Sequence, residues 1–246
     1  MSIRAMIKYG KKDHLQQIID GNLRFAPSQQ YVEIERDLHN KGQGDLLDGK
    51  MKIKFERAEA RDPETDKLMY VLPKSEVIVS IQDVNNMPIF CLSHYGDEEI
   101  KYIDGREHLT IKSDVLDSIK KDFEDATHAL IIFEPEKFIE DVHRISGHQF
   151  VGDSIRYYDY DVNSLQMFMF LCSGSETLQE NVELIMTYEN RYRNLLCKDI
   201  SFSQQQEYRF IGLDELITSP VFYKFEFNSN YALIPIDQLY APVSFP

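Results

Sequence analysis

The sequence has no tryptophan and only three cysteines, Cys91, Cys172 and Cys197, which are widely spaced and form no CxxC pair. An odd, scattered set of thiols argues against a disulfide framework and offers no zinc-binding spacing; it suits a reduced, cytoplasmic protein. Long apolar runs are missing too. The most apolar stretch, QMFMFLCSG, falls well short of the roughly 20 residues that a membrane-spanning helix needs, and the N-terminal MSIRAMIKYG lacks the core of a signal peptide. Basic residues are scarce: 27 Lys and Arg stand against 41 Asp and Glu, a formal net charge of −14. This argues against binding long nucleic acid, because neutralising a phosphate backbone needs a basic face. Acidity overall still permits a local basic pocket.

Several catalytic signatures are absent as well. There is no GxxxxGK[ST] loop, no GxGxxG, no HExxH and no GxSxG, and the seven histidines are scattered. These gaps remove the common nucleotide-binding loops, zinc proteases and serine hydrolases from consideration.

What remains is a chain of 246 residues, 43% hydrophobic, with 15 Phe and 14 Tyr, enough to build a well-packed core. IRAMIKYG reads as a strand and DHLQQIIDG as a short helix, capped by Asp13 and ended by Gly21; NLRFAP returns as a strand. Residues 31–49 read as a helix-like turn followed by a glycine-containing loop, expected to be a mobile cover over a pocket. The alternating residues on either side of RDPETDK predict an antiparallel hairpin, and MPIFCLS a buried strand. SDVLDSIKKDFED and PEKFIEDVHRIS predict helices flanking the strand HALIIFE. VGDSIRYYDYD reads as a strand, residues 176–198 as the longest helix, and VFYKFEF and YALIPI as closing strands. No repeat or linker breaks the chain. The pattern predicts one α+β domain over residues 1–246, with mostly antiparallel strands and segregated helices.

The densest polar grouping lies at KDISFSQQQEYRF, residues 198–210, read as a strand. Alternation would place Gln205, Glu207 and Arg209 on one face, with Tyr208 and Phe210 in the core. A Gln two positions before a Glu at the start of a late strand resembles the glutamine-x-glutamate element of ADP-ribosyltransferases. The spacing has a chemical reason. Cleaving the nicotinamide–ribose bond of NAD develops oxocarbenium charge, which a fixed carboxylate stabilises. A neutral amide two residues away can orient the incoming nucleophile.

Other segments extend the likeness in order along residues 3–212. IKYG, GNLRFAPSQQY, GDLLDG, IFCLS, HALIIFEPEKFIEDV, SIRYYD and LLCKDISFSQQQEYRF resemble successive motifs of a bacterial and phage-associated domain family of unknown function. That family is itself similar to a divergent ADP-ribosyltransferase-like fold. The resemblance implies a central cleft that binds a nucleotide or NAD, with Glu207 and Gln205 catalytic. It implies that Lys8 or Arg24, together with Arg209, holds the pyrophosphate, and that Tyr9 and Tyr31 line the nicotinamide pocket. Ser93 lies on the strand beside it, and Asp45 and Asp48 on the covering loop. The implied setting is a toxin or phage-defence effector with a macromolecular acceptor or a cognate antitoxin. Two alternatives stay open: a non-enzymatic ligand- or protein-binding module of the same fold, and a metal-dependent nuclease using Asp45, Asp48 and Glu207. If Glu207 acts only in chemistry, its change to Gln is expected to leave stability unharmed.

Overall fold

The computed structural model describes residues 2–39, 43–172, 185 and 187–246. The chain begins with strand β1 (Ala5–Gly10), helix α1 (Lys12–Ile19), strand β2 (Asn22–Pro27) and helix α2 (Gln29–Leu38). Strands β3 (Lys50–Phe55), β4 (Ala58–Arg61), β5 (Leu68–Leu72) and β6 (Ser75–Ser80) follow as two nested antiparallel ribbons, β3 with β6 and β4 with β5. Next come β7 (Pro88–Tyr95), β8 (Ile100–Ile103), β9 (Arg106–Leu109), α3 (Ser113–Asp122), β10 (His128–Ile132) and α4 (Pro135–His143). The order closes with β11 (Phe150–Ser154), β12 (Arg156–Tyr158), α5 (Leu165–Leu171), β13 (Cys197–Asp199), β14 (Glu207–Gly212), β15 (Val221–Lys224), β16 (Tyr231–Pro235) and β17 (Val243–Ser244). The fold is thus α+β with mostly antiparallel pairing; β12 and β13 form a short parallel pair.

The central sheet runs β11-β14-β7-β1-β10-β16, with β2 joining β7 and carrying β15 on its other side. Period-two alternation gives each strand two different faces. Met6, Phe25, Phe90, Leu92, Leu130, Tyr208 and Phe210 meet Leu15 and Ile18 of α1 and Phe138 and Val142 of α4 in one core. On the opposite face the cover is split. Ala5, Ile7, Ala129 and Ile131 pack under Val115, Leu116 and Ile119 of α3. Ile89 and Ile211 pack instead under Leu195 and Leu196 of a 3₁₀ turn, Arg191–Leu196.

The sheet also has a break beside β7. Its first residues, Pro88 and Ile89, pair with β2, while Ser93–Tyr95 pair with β1. Phe90–Leu92 are paired only on the β14 side. Split cover and split sheet coincide, and the cavity described below lies there.

Several sequence expectations are corrected. Asp13 does not cap α1; the helix starts at Lys12 and Asp13 sits in its first turn. The segment after Ser28 is a regular ten-residue helix rather than a helix-like turn. Of the long helix expected over 176–198, residues 176–184 and 186 lie outside the described residues; the described remainder holds no α-helix and ends in the 3₁₀ turn followed by β13. Among the described residues, no helix is long and apolar enough to cross a membrane.

Candidate functional site

The segment 198–210 is not one strand. Asp199 caps a 3₁₀ turn, Ile200–Gln205, by accepting a hydrogen bond from Ser201 N, and Gln206 takes a left-handed conformation with φ of 44°. β14 begins only at Glu207. Gln205 therefore does not share a strand face with Glu207 and Arg209. It reaches the same place from the turn, held by its carbonyl, which accepts from Ser93 Oγ at 2.7 Å. Tyr208 and Phe210 do point into the opposite core, as alternation requires.

Glu207 and Arg209 are the centre of a buried network. Glu207 Oε1 accepts from Arg209 Nε at 2.8 Å, and Oε2 lies 2.8 Å from Lys198 Nζ. Arg209 Nη1 donates to Asp48 Oδ1 and to the Leu195 carbonyl, both at 2.7 Å. Lys198 Nζ also donates to Gln205 Oε1 at 3.2 Å, and Gln205 Nε2 donates to Asp122 Oδ2 at 3.0 Å, which ties the end of α3 to the cluster. The hydroxyl of Tyr157 accepts from Glu207 N at 2.8 Å. Glu207 is 6% exposed and Arg209 2%. Burial alone would raise the Glu207 pKa. The charges of Arg209 and Lys198, with hydrogen bonds from Lys198 and Cys91, outweigh it and hold the carboxyl well below the usual range. Burial likewise works against the charge on Lys198, but the Glu207 carboxylate overrides it and raises that pKa.

Around this network the two covers of the sheet leave a cavity, partly open to solvent, with about 60 Å³ of free interior volume. Aromatic and aliphatic side chains, among them Tyr9, Tyr31 and Phe123, form its walls. Its charged lining is balanced: Asp45, Asp48 and Glu207 face Lys8, Lys198 and Arg209. The formal charge of the lining is therefore zero, in a chain of net charge −14. Lys8 Nζ donates to the Cys91 carbonyl at 2.6 Å, in the stretch of β7 that lacks a strand partner on one side. Burial lowers the Lys8 pKa and pushes the Cys91 thiol up to about 12, with the Glu207 charge adding to that rise.

Of the eight residues expected to be catalytic or to bind the cofactor, seven line this cavity: Lys8, Tyr9, Tyr31, Ser93, Gln205, Glu207 and Arg209. Arg24 does not. It is exposed and donates to Gln30 Oε1 at 3.2 Å, because alternation in β2 turns it away from Leu23 and Phe25 in the core. Tyr9 is buried, with its hydroxyl 2.8 Å from that of Tyr95. The segment expected to be a mobile cover is packed down where it is described. Asp45, Asp48 and Gly49 are buried, and Leu46 N donates to Glu35 Oε2 at 2.6 Å. Residues 40–42 of that expectation lie outside the described residues.

Lys198 stands in the segment LLCKDISFSQQQEYRF, but the sequence reading gave it no role in the site. Its signal was a lone lysine after the apolar run LLC. Asp45, Asp48 and Glu207 line one cavity, but the Arg209 guanidinium bonds to both Asp48 and Glu207. Among the described residues, no group of three His, Cys, Asp or Glu is arranged to hold a metal ion.

Compared with protein-family models, curated proteins and solved structures, the chain matches none.

Proposed function

We propose that this cavity binds NAD or a closely related nucleotide and that the chain cleaves the bond between the ribose and its nitrogenous leaving group, in the manner of an ADP-ribosyltransferase-like enzyme. One observation carries the reading. A carboxylate, Glu207, is held on a strand between Lys198 and Arg209, each at 2.8 Å, at the wall of an aromatic-sided cavity. Preorganised charge of this kind stabilises a developing oxocarbenium ion without reorganisation during the reaction. Glu207 is the stabilising group, and Lys198 and Arg209 fix its orientation. Tyr31 and Phe123 offer faces for a flat ring, and Lys8 offers charge for a phosphate.

Gln205 holds a smaller role than its spacing implied. Its side chain bonds to Lys198 and Asp122, so it positions Lys198 rather than an acceptor. Arg24 is exposed and does not line the cavity, though its charge reaches Lys8 and Tyr31 at the wall.

A second reading, a binding module without catalysis, is favoured by the same network: both oxygens of Glu207 already have cationic partners. Incubating the protein with NAD, with and without cell extract, and measuring nicotinamide release separates the two. Release supports the enzyme. Binding of NAD without release in either condition supports the module. ADP-ribose on a macromolecule only in the presence of extract identifies a transferase.

A further inference from the structure

The cavity holds a third carboxyl whose environment is opposite to that of Glu207. Asp45 is 5% exposed and is built into the turn before Gly49: its Oδ1 accepts from Leu47 N at 2.9 Å, and its carbonyl accepts from Asp48 N at 3.1 Å. No cation lies within ion-pair distance of it among the described residues, whereas Glu207 has two. Next to it, Asp48 is 1% exposed and spends Oδ1 on Arg209, while its buried Oδ2 has no hydrogen-bond partner. A buried acceptor left open at a cavity wall calls for a donor from outside the chain, such as a sugar hydroxyl.

We propose that Asp45 is a general acid in this cavity, and that the site therefore cleaves N-ribosides whose leaving base is neutral and must be protonated, such as purine nucleosides, in addition to a pyridinium riboside. The inference rests on the glycosyl-transfer reading above. Nicotinamide leaves NAD as a neutral molecule and needs no proton, so a proton donor would be superfluous for that substrate. A neutral purine needs one. In the step, the Asp45 O–H protonates a ring nitrogen of the base as the C1′–N bond breaks, and the bond's electron pair stays with the base. Glu207 stabilises the oxocarbenium ion, and a sugar hydroxyl donates to Asp48 Oδ2. Water then adds to C1′ and returns a proton to Asp45, so that riboside and water give ribose and free base.

Two carboxyls with opposed environments in one pocket are the usual basis for dividing acid and stabiliser roles. The charged groups around Asp45 agree with this division. Burial pushes its pKa up to about 6; the like charge of Asp48 adds to the rise, and Lys198 and Arg209 oppose it. The Tyr160 hydroxyl, itself raised by burial, is a further neighbour in the same field.

The test compares inosine, p-nitrophenyl riboside and NAD as substrates for the wild type, Asp45→Asn and Asp45→Glu. The nitrophenolate of the second substrate leaves without protonation. Wild type should release hypoxanthine from inosine, with a rate that falls as pH rises above about 6. That falling limb should be missing for p-nitrophenyl riboside. Asp45→Asn should slow inosine cleavage by about 100-fold more than p-nitrophenyl riboside cleavage, and Asp45→Glu should recover part of the loss. Nicotinamide release from NAD with inosine left intact would overturn the proposal while the function above stands. Equal slowing of both ribosides by Asp45→Asn would also overturn it. No cleavage of any substrate would overturn both. Should Asp45→Asn fail to fold, the two wild-type pH profiles decide: identical profiles contradict an acid role.

Discussion

At the scale of the residue, Glu207 couples chemistry to stability. On sequence grounds its change to Gln was expected to spare the fold only if Glu207 acts in chemistry alone. The structure shows that it does not stand alone: the carboxylate is the shared partner of Lys198 and Arg209 in a buried site. Glu207→Gln keeps the shape but leaves both cations short of charge. Losing one partner of a buried pair costs about 3–5 kcal/mol, and for a chain of this size the melting temperature should fall by roughly 6–15 °C. A thermal melt at pH 7 checks this; an unchanged midpoint would mean the network is weaker than its geometry. Asp45 gives the opposite sign. Its proton is held more tightly in the folded than in the unfolded state, so stability falls as pH rises through the window from 3.8 to about 6. Asp45→Asn, which keeps an oxygen for Leu47 N, should therefore stabilise the protein at pH 7.5 by about 1–3 kcal/mol and have little effect near pH 4. Denaturant titrations at the two pH values measure that difference.

At the scale of the element, the turn that delivers Asp48 to Arg209 depends on Gly49. This residue has φ of +69°, and a Cβ there would lie 3.0 Å from Asn85, Val84 and Leu195. Gly49→Ala should cost about 1–2 kcal/mol from the backbone alone. It should also loosen Asp48, which a weakened affinity for any cavity ligand would report. The nested ribbons are a contrast. No residue from Ala58 to Leu72 belongs to a buried core, and every residue of β5 is exposed. Replacing residues 58–72 with a short Gly/Ser turn should leave the melting temperature within a few degrees; a large drop would show that this hairpin contributes to the core.

The same contrast explains what was legible in the sequence. Strands such as His128–Ile132 and helices such as Pro135–His143 carry strong local patterns, because one face packs and the other does not. Alternation also placed Glu207 and Arg209 together, opposite Tyr208 and Phe210. It failed at Gln205, where a polar run with no apolar period hid a 3₁₀ turn and a left-handed Gln206. Arg24 leaves the core as alternation requires; it does not line the cavity, but its charge reaches Lys8 and Tyr31, which do. Lys198 was given no role in the site because its partners, Gln205 and Glu207, come to it only through tertiary packing.

At the scale of the whole molecule, 14 excess negative charges surround a cavity lined by three carboxylates and three cations. The sheet is split beside β7 and its cover is split above it, so the topology opens the cavity, and the loop residues Asp45 and Asp48 complete its wall. The account's central claim is that Glu207 in this cavity stabilises an oxocarbenium ion. The most direct measurement is nicotinamide release from NAD by the wild type and by Glu207→Gln, both assayed at a temperature where circular dichroism shows the variant folded. The account predicts release by the wild type and a loss of about 10²–10³-fold in the variant. Equal rates for the two proteins, or no release by the wild type with or without cell extract, would contradict it.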